Sequence, residues 1–392
     1  MKAVKRFPFL LSIFIFIGVL FFPVKWLMPF IDEETLYHHA SEQNPEMFKG
    51  VMIQQKAIET DNFFPIYGSS ELSSMSQFHP TNHFIVNEKN FAPFIYGKGG
   101  VQSLVHFLNL SSLDEQLENK KIVFILSPQW FVPGGIDQDS FASNYSPLHA
   151  YKLAFNFKMD KNIKKEAMKR LLEFNEIRKD RKLRYLYEAQ TNSDLFSKIK
   201  GAAMLPAAFI YKNILEKKDF YQTIISKSKE FSVIDEKNIK DKSYKELLNY
   251  AEQIGETQVT NNSYSLQDDY YNKYINEKHD ELKNYLAEVS YSASVEYEDL
   301  QLVLDLLKEK RVDAIFVSVP MNGSWYDYGG YSKEHRAEYY SKVKKQVESS
   351  GFPVLDLTEK EYENYLLKDV MHLGWKGWVY INESMEQHWN KK

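Results

Sequence analysis

The chain has 392 residues, of which 44% are hydrophobic and 15% aromatic, enough for a sizeable core and for either two or three domain-sized pieces or one domain with a large insertion. Its net charge of −4 offers no electrostatic case for binding nucleic acid. It has no cysteine, which excludes disulfides, thiolate metal sites, a cysteine nucleophile and a lipid-modified cysteine anchor.

The first element is an apolar run over residues 7–24, extended past Lys25 by Trp26, Leu27, Met28 and Phe30. About 20 apolar residues are needed to cross a hydrocarbon core of about 30 Å. Lys2, Lys5 and Arg6 precede the run, and Asp32, Glu33 and Glu34 follow it. This asymmetry predicts a single-pass cell-membrane anchor with a cytoplasmic N-terminus, everything after about residue 30 lying outside. A cleaved signal peptide is the competing reading. It fits less well, because bulky Phe21, Phe22, Trp26 and Met28 occupy positions where a cleavage site needs small residues.

Residues 31–60 read as a polar helical stalk. Four short apolar runs then predict buried strands, at residues 63–67, 121–126, 312–319 and 352–356. Helical patterns separate them, at residues 101–110, around Leu300, Val303, Leu304 and Leu307, and at residues 375–389. Continuous apolar strands alternating with helices predict an α/β fold with a central parallel sheet covered on both faces. Residues 151–311 are charged, tyrosine-rich and without strand runs, and read as a helical insertion. The expected organisation is an anchor at 1–30, a stalk at 31–60, a core from 61–150 and 312–392, and the insertion between.

Four motifs carry chemistry. Gly68-Ser69-Ser70 follows the first strand, where open α/β sheets place their sites. A helix starting near Glu71 would aim free N–H groups at an oxyanion beside Ser70; the plainer reading of Ser70 is an N-cap. Gly97-Lys98-Gly99-Gly100 precedes a helix and would expose backbone N–H groups, although any turn also favours glycine. Gln129, followed by Trp130 and Phe131, stands after the second run and offers an amide to the same oxyanion. Asp369 and His372, three apart, would share one face of a helical turn, so that the carboxylate holds the imidazole in one tautomer; a surface pair is the plainer reading. Asn322, Trp325 and Tyr326 follow the third run, as wall of a cleft or as anchors of a loop. No ligand-like spacing of histidines and carboxylates is present, so no metal and no cofactor are expected. The basic residues of 158–184 would attract a polyanion if unpaired, but interspersed acids favour an ordinary solvated face.

Together these motifs resemble the SGNH, or GDSL-type, hydrolase superfamily, and more closely its DltD branch. The resemblance rests on residues 63–72, 97–103, 127–131, 319–330 (with Pro320, Asn322, Trp325, Tyr326, Asp327 and Tyr328) and 369–378, together with the N-terminal run. It implies a three-layer sandwich with Ser70 as nucleophile, His372 as base and Asp369 as orienter. Gly99 or Gly100, Gln129, Trp130, Asn322, Trp325 and Tyr326 would then bind oxyanion or substrate. It implies D-alanylation of lipoteichoic acid at the outer face, with an MBOAT-type membrane acyltransferase as partner and a D-alanyl carrier protein as upstream donor. Two departures from the superfamily stand out. Ser69 replaces a common aspartate, and Gln129 replaces an asparagine, so its longer amide must approach from further back. Two other functions fit the same residues: an esterase acting on other envelope acyl esters, or a non-catalytic scaffold presenting carrier or teichoic acid.

Overall fold

The structure is a computed structural model that describes residues 6–40, 48–73, 75–225 and 231–391. Five parallel strands form its centre: β1 (Phe63–Gly68), β2 (Ala92–Gly97), β3 (Lys121–Leu126), β4 (Asp313–Ser318) and β5 (Val354–Asp356), in the order β2-β1-β3-β4-β5. Side chains alternate across the sheet as the period of two requires. Phe63, Tyr67, Phe94, Tyr96, Phe124 and Phe316 enter one core, and Phe64, Ile66, Ile95, Val123, Ile125 and Val317 enter the other. The first core is closed by helices that include Met52–Glu59, Ser103–Leu113, Glu296–Glu309 and Lys333–Ser349. The second is closed by Pro80–Val86, Tyr244–Gln258 and Trp375–Asn390. The architecture is therefore helix, sheet, helix in three layers.

β2 is a strand that the apolar-run criterion overlooks. Pro93 interrupts it, yet β2 is the edge of the sheet, where a missing N–H is tolerated. The signal was present as a near-repeat: Pro-Ile-Tyr-Gly ends β1 and Pro-Phe-Ile-Tyr-Gly ends β2, and the two pair in register from Phe63↔Ala92 to Gly68↔Gly97.

The N-terminal run does not form one long helix. Arg6–Phe21 is α-helical over 16 residues, about 24 Å at 1.5 Å per residue, which is short of a hydrocarbon core. A 3₁₀ segment, Val24–Phe30, follows at 75° to it. Pro23 stands at the break and Pro29 lies inside the second piece, each removing a backbone donor. No single helix among the described residues is long and apolar enough to cross a membrane; only the bent pair passes by length and composition. Lys2 and Lys5, invoked for topology, lie outside the described residues.

The stretch expected as a stalk is helical at Glu33–Ala40 and Met52–Glu59, but it does not stand free. Ile31, Leu36, Phe48, Ile53, Ala57 and Ile58 are buried in the first core. Between residues 151 and 311 the described residues hold helices and no strand. The last of these helices, Glu296–Glu309, buries Leu300, Val303, Leu304 and Leu307 and belongs to the layer over the sheet. Several basic residues of 158–184 are paired with acids, as with Lys169–Glu166, Arg170–Asp299 and Arg184–Glu188.

Candidate functional site

The strand order reverses between β1 and β3, the point at which open α/β sheets bind ligands beyond their carboxyl ends. Ser70 lies just past β1, Gly99 past β2, Gln129 past β3, and the Asp369–His372 loop past β5. The ends of β1 and β2 approach so closely that a Cβ on Gly97 would lie 2.2 Å from the Gly68 carbonyl oxygen. Only glycine allows that contact, and it brings the Gly97–Gly100 loop beside Ser70.

Ser70 does not open an α-helix as the sequence reading expects. It starts a four-residue 3₁₀ turn, Ser70–Ser73, too short to carry a useful dipole. The turn is held from within. Glu71 is buried, and its Oε1 accepts the Ser69 N–H at 2.6 Å. Ser69 donates through Oγ to the Lys98 carbonyl at 3.1 Å, tying the β1 end to the glycine loop. Burial pushes the Glu71 carboxyl above its usual range, against the opposing effect of hydrogen bonds from Ser69 and its own N–H.

Asp369 and His372 meet, though not on a helical turn. Their loop is closed by an isolated antiparallel bridge, Leu367↔Leu373, and by Asp369 itself, whose Oδ1 accepts the N–H groups of Met371 at 3.0 Å and His372 at 2.8 Å. This is an Asx-type turn, which gives the same three-residue spacing the same outcome. His372 Nδ1 then lies 2.9 Å from Oδ2 and 3.0 Å from Oδ1, and its Nε2 lies 2.8 Å from Ser70 Oγ. Gln129 Nε2 stands 3.4 Å from the same Oγ, a long contact that agrees with an amide reaching from further back. Burial would pull the His372 imidazole down, but the hydrogen bond and charge of Asp369, aided by Glu71, hold it above its ordinary 6.5. Burial works against the Asp369 carboxylate too, yet His372 and the two backbone donors keep it below the usual range.

Of the two glycines, Gly99 is the one at the serine. A Cβ there would sit 3.9 Å from Ser70 Cβ, whereas one on Gly100, at φ +80°, would face Asn144 and Ser140. Asn144 Nδ2 donates to the Gly99 carbonyl at 3.2 Å and fixes the loop from the far side.

Three expected substrate contacts are displaced into the core. Trp130, Trp325 and Tyr326 are each 1% exposed, so none lines a cleft. Their aromatic bulk is used for packing, with the Trp325 indole N–H bonded to the Tyr285 hydroxyl at 3.1 Å. Asn322 is spent as well: Oδ1 caps the Gly323–Tyr328 helix through the Trp325 N–H at 2.9 Å, and Nδ2 donates to the Tyr264 carbonyl at 2.8 Å. This segment instead braces the histidine loop, since the Asn322 N–H donates to the Val370 carbonyl at 3.0 Å. The Gln267 N–H does the same from the 151–311 stretch, at 2.8 Å from the Lys368 carbonyl.

A cleft of about 700 Å³ opens on the flank of the loop, lined by Ser73, Gln77, Gln267, Lys368, Leu373 and Trp375 among others, but by none of Ser70, Gly99, Gln129 or His372. Its size suits a small-molecule or glycan segment. Among the described residues no group of three or more metal-ligating side chains converges.

Fold and site thus define a class: a three-layer parallel α/β protein with a serine, a histidine and an aspartate in one hydrogen-bonded line at the sheet's switch point. Comparison with known proteins makes the assignment narrower. The family model described as DltD protein matches residues 40–390. The chain is 42% identical to Protein DltD of Bacillus subtilis (strain 168) over 385 residues, covering 98% of this chain and 97% of that one. It is 30% identical to Protein DltD of Staphylococcus aureus (strain NCTC 8325 / PS 47) over 390 residues, covering 99% and 96%. Against Protein DltD of Lacticaseibacillus rhamnosus it is 30% identical over 382 residues, covering 96% and 89%. The chain belongs to the DltD family.

Proposed function

We propose that the chain is an envelope acyltransferase that moves D-alanyl groups through Ser70 onto teichoic acid. One observation carries the reading: Ser70 Oγ lies 2.8 Å from His372 Nε2 while Nδ1 of the same ring faces Asp369, within the range of a working nucleophile and base. Family membership supports D-alanylation as the pathway, and the likeness of the motifs to SGNH hydrolases supports the chemistry.

Ser70 Oγ attacks the carbonyl of a D-alanyl ester or thioester, and His372 Nε2 takes the hydroxyl proton. The Gln129 amide and the Gly99 N–H hold the oxyanion, a contribution of about 2.7–4 kcal/mol for one such donor elsewhere. Collapse breaks the bond to the donor's oxygen or sulfur, which leaves with the proton from His372. The D-alanyl-Ser70 ester is then attacked by a hydroxyl of the lipoteichoic acid glycerol-phosphate chain. His372 accepts that proton and returns it to Ser70. No metal or cofactor is needed for this balance. The bent apolar segment Phe7–Phe30 is read as the membrane anchor, with the body on the outer side, next to an MBOAT-type acyltransferase fed by the carrier protein.

Replacing Ser70 with alanine tests the proposal in cells. D-alanyl ester content of the envelope falls to the level of cells lacking the protein, at unchanged protein abundance. Undiminished esters would refute a nucleophilic Ser70.

A further inference from the structure

The long helix Leu195–Ile225 has its amphipathy reversed. Toward the body it buries mainly small and polar residues, Ser197, Gly201, Ala208, Asn213, Asp219 and Thr223, together with Phe220. Toward solvent it turns Leu195 (72% exposed), Phe196 (66%), Ile199, Phe209, Ile210 and Ile214. Water favours the opposite arrangement, and a contiguous apolar surface of this kind marks contact with lipid or with another molecule.

Three further observations choose between those occupants. First, the face continues into the N-terminal apolar segment: Phe21 stacks on Phe209 with ring centroids 6.2 Å apart, and Lys217 Nζ donates to the Phe22 carbonyl. Second, every charged residue from 195 to 215 is a lysine: Lys198, Lys200 and Lys212. Lys200 lies with its ammonium 3.9 Å from the Phe196 ring centroid, and Lys212 pairs with Glu216, so both are held along the helix. Third, the helix has 31 residues, yet it is not apolar enough to cross a membrane. Apolar side chains on one face, lysines beside them and insufficient overall hydrophobicity describe a helix that lies in a lipid interface.

We propose that the Leu195–Ile225 helix rests in the outer surface of an anionic bilayer, docking the body onto the membrane at the point where the N-terminal segment emerges. The proposal rests on reading that segment as the anchor. It gives the 151–311 stretch a role of its own, which is to hold the body against the surface where a lipid-linked polymer is carried.

The absence of native cysteine makes the test clean. Four full-length variants, Ile13→Cys, Ile199→Cys, Ile210→Cys and Glu277→Cys, are each labelled with one environment-sensitive fluorophore. They are reconstituted into phosphatidylglycerol-containing vesicles with nitroxide-bearing lipids. The expected result is quenching at Ile199 and Ile210 by shallow nitroxides, quenching at Ile13 by deep ones, and none at Glu277, which is exposed on another segment. Quenching at Ile13 without quenching at Ile199 and Ile210 overturns the docking helix and leaves the anchor intact. Loss of quenching at Ile13 alone refutes the anchor and still supports the docking helix. Equal quenching at Glu277 would show indiscriminate insertion and overturn the proposal. So would protection of Ile199 and Ile210 only when a membrane protein partner is added.

Discussion

Replacing Asp369 with asparagine isolates the link between the carboxylate and the histidine. Asp369 Oδ1 accepts two backbone N–H groups, at 3.0 Å from Met371 and 2.8 Å from His372. An asparagine keeps that turn only by placing its carbonyl oxygen there. Its NH₂ must then take the Oδ2 position, 2.9 Å from His372 Nδ1. The NH₂ then opposes Nδ1–H at the nearer contact, and the one remaining oxygen, 3.0 Å from Nδ1, is already shared with two backbone donors, so the balance moves toward the tautomer with its proton on Nε2, the nitrogen that must accept from Ser70. The same exchange in a serine protease lowers turnover about 10⁴-fold, equivalent to about 5.4 kcal/mol in the barrier. A fall of that order is expected here, with the loop and the unfolding temperature little changed because both backbone contacts survive. The assay is the rate at which a fluorophosphonate labels Ser70 in the purified full-length chain, followed beside D-alanyl ester content in cells. A decrease of less than about tenfold in labelling, with the fold intact, would refute the tautomer argument.

Four further outcomes follow from the same geometry. His372 must be neutral to accept a proton, so labelling of Ser70 rises with pH through an imidazole value above the ordinary 6.5; a midpoint at or below it in a pH–rate profile would contradict the arrangement. The linked stability runs the opposite way: the raised His372 contributes most below its unfolded value and loses that contribution as pH rises through the folded one, which denaturant midpoints across that window will read. Glu71→Gln retains an oxygen for the Ser69 N–H and leaves labelling within a few-fold, whereas Glu71→Ala orphans that donor and costs about 1–3 kcal/mol in chemical unfolding; equal loss in both variants would instead assign importance to the charge. Gly97→Ala places a Cβ 2.2 Å from the Gly68 oxygen, so the ends of β1 and β2 must separate; destabilisation of about 1–3 kcal/mol is expected, read by thermal unfolding together with slower labelling.

Much of the site could be read from the chain, for a definite reason. Ser70 and His372 lie in short segments whose small residues, glycines and turn chemistry are local signals, and strand ends at a switch point bring such segments together. What failed depended on neighbours far away in sequence. Trp130, Trp325 and Tyr326 look the same whether they line a cleft or fill a core, and only packing decides. β2 carries Pro93 as β1 carries Pro65, and its pairing in register with β1 is what identifies it as a strand. Residues 31–60 looked polar enough for a stalk, yet Ile31, Leu36, Ile53 and Ile58 find partners in the first core. Glu71 was visible as an acid beside a candidate nucleophile, but its burial, and so its grip on Ser69, was not. Asp369 and His372 meet on an Asx-type turn and not on a helical one, and the three-residue spacing does not distinguish them, because both turns bring the third residue to the same side.

The order in which the chain is made has a consequence for when it becomes reactive. Ser70 belongs to the first strand, whereas His372 comes 302 residues later, immediately before the terminal Trp375–Asn390 helix. That helix buries Trp378, Val379, Ile381 and Met385 beneath the sheet, each contributing about 1.5–3 kcal/mol, and the Lys121 ammonium clasps the carbonyls of His388 and Trp389. On the proposed mechanism, a polypeptide that stops short of His372 holds Ser70 without the base assigned to it. Ser70 gains that base only once His372 has been made and its loop has folded, so fragments lacking His372 would be inactive.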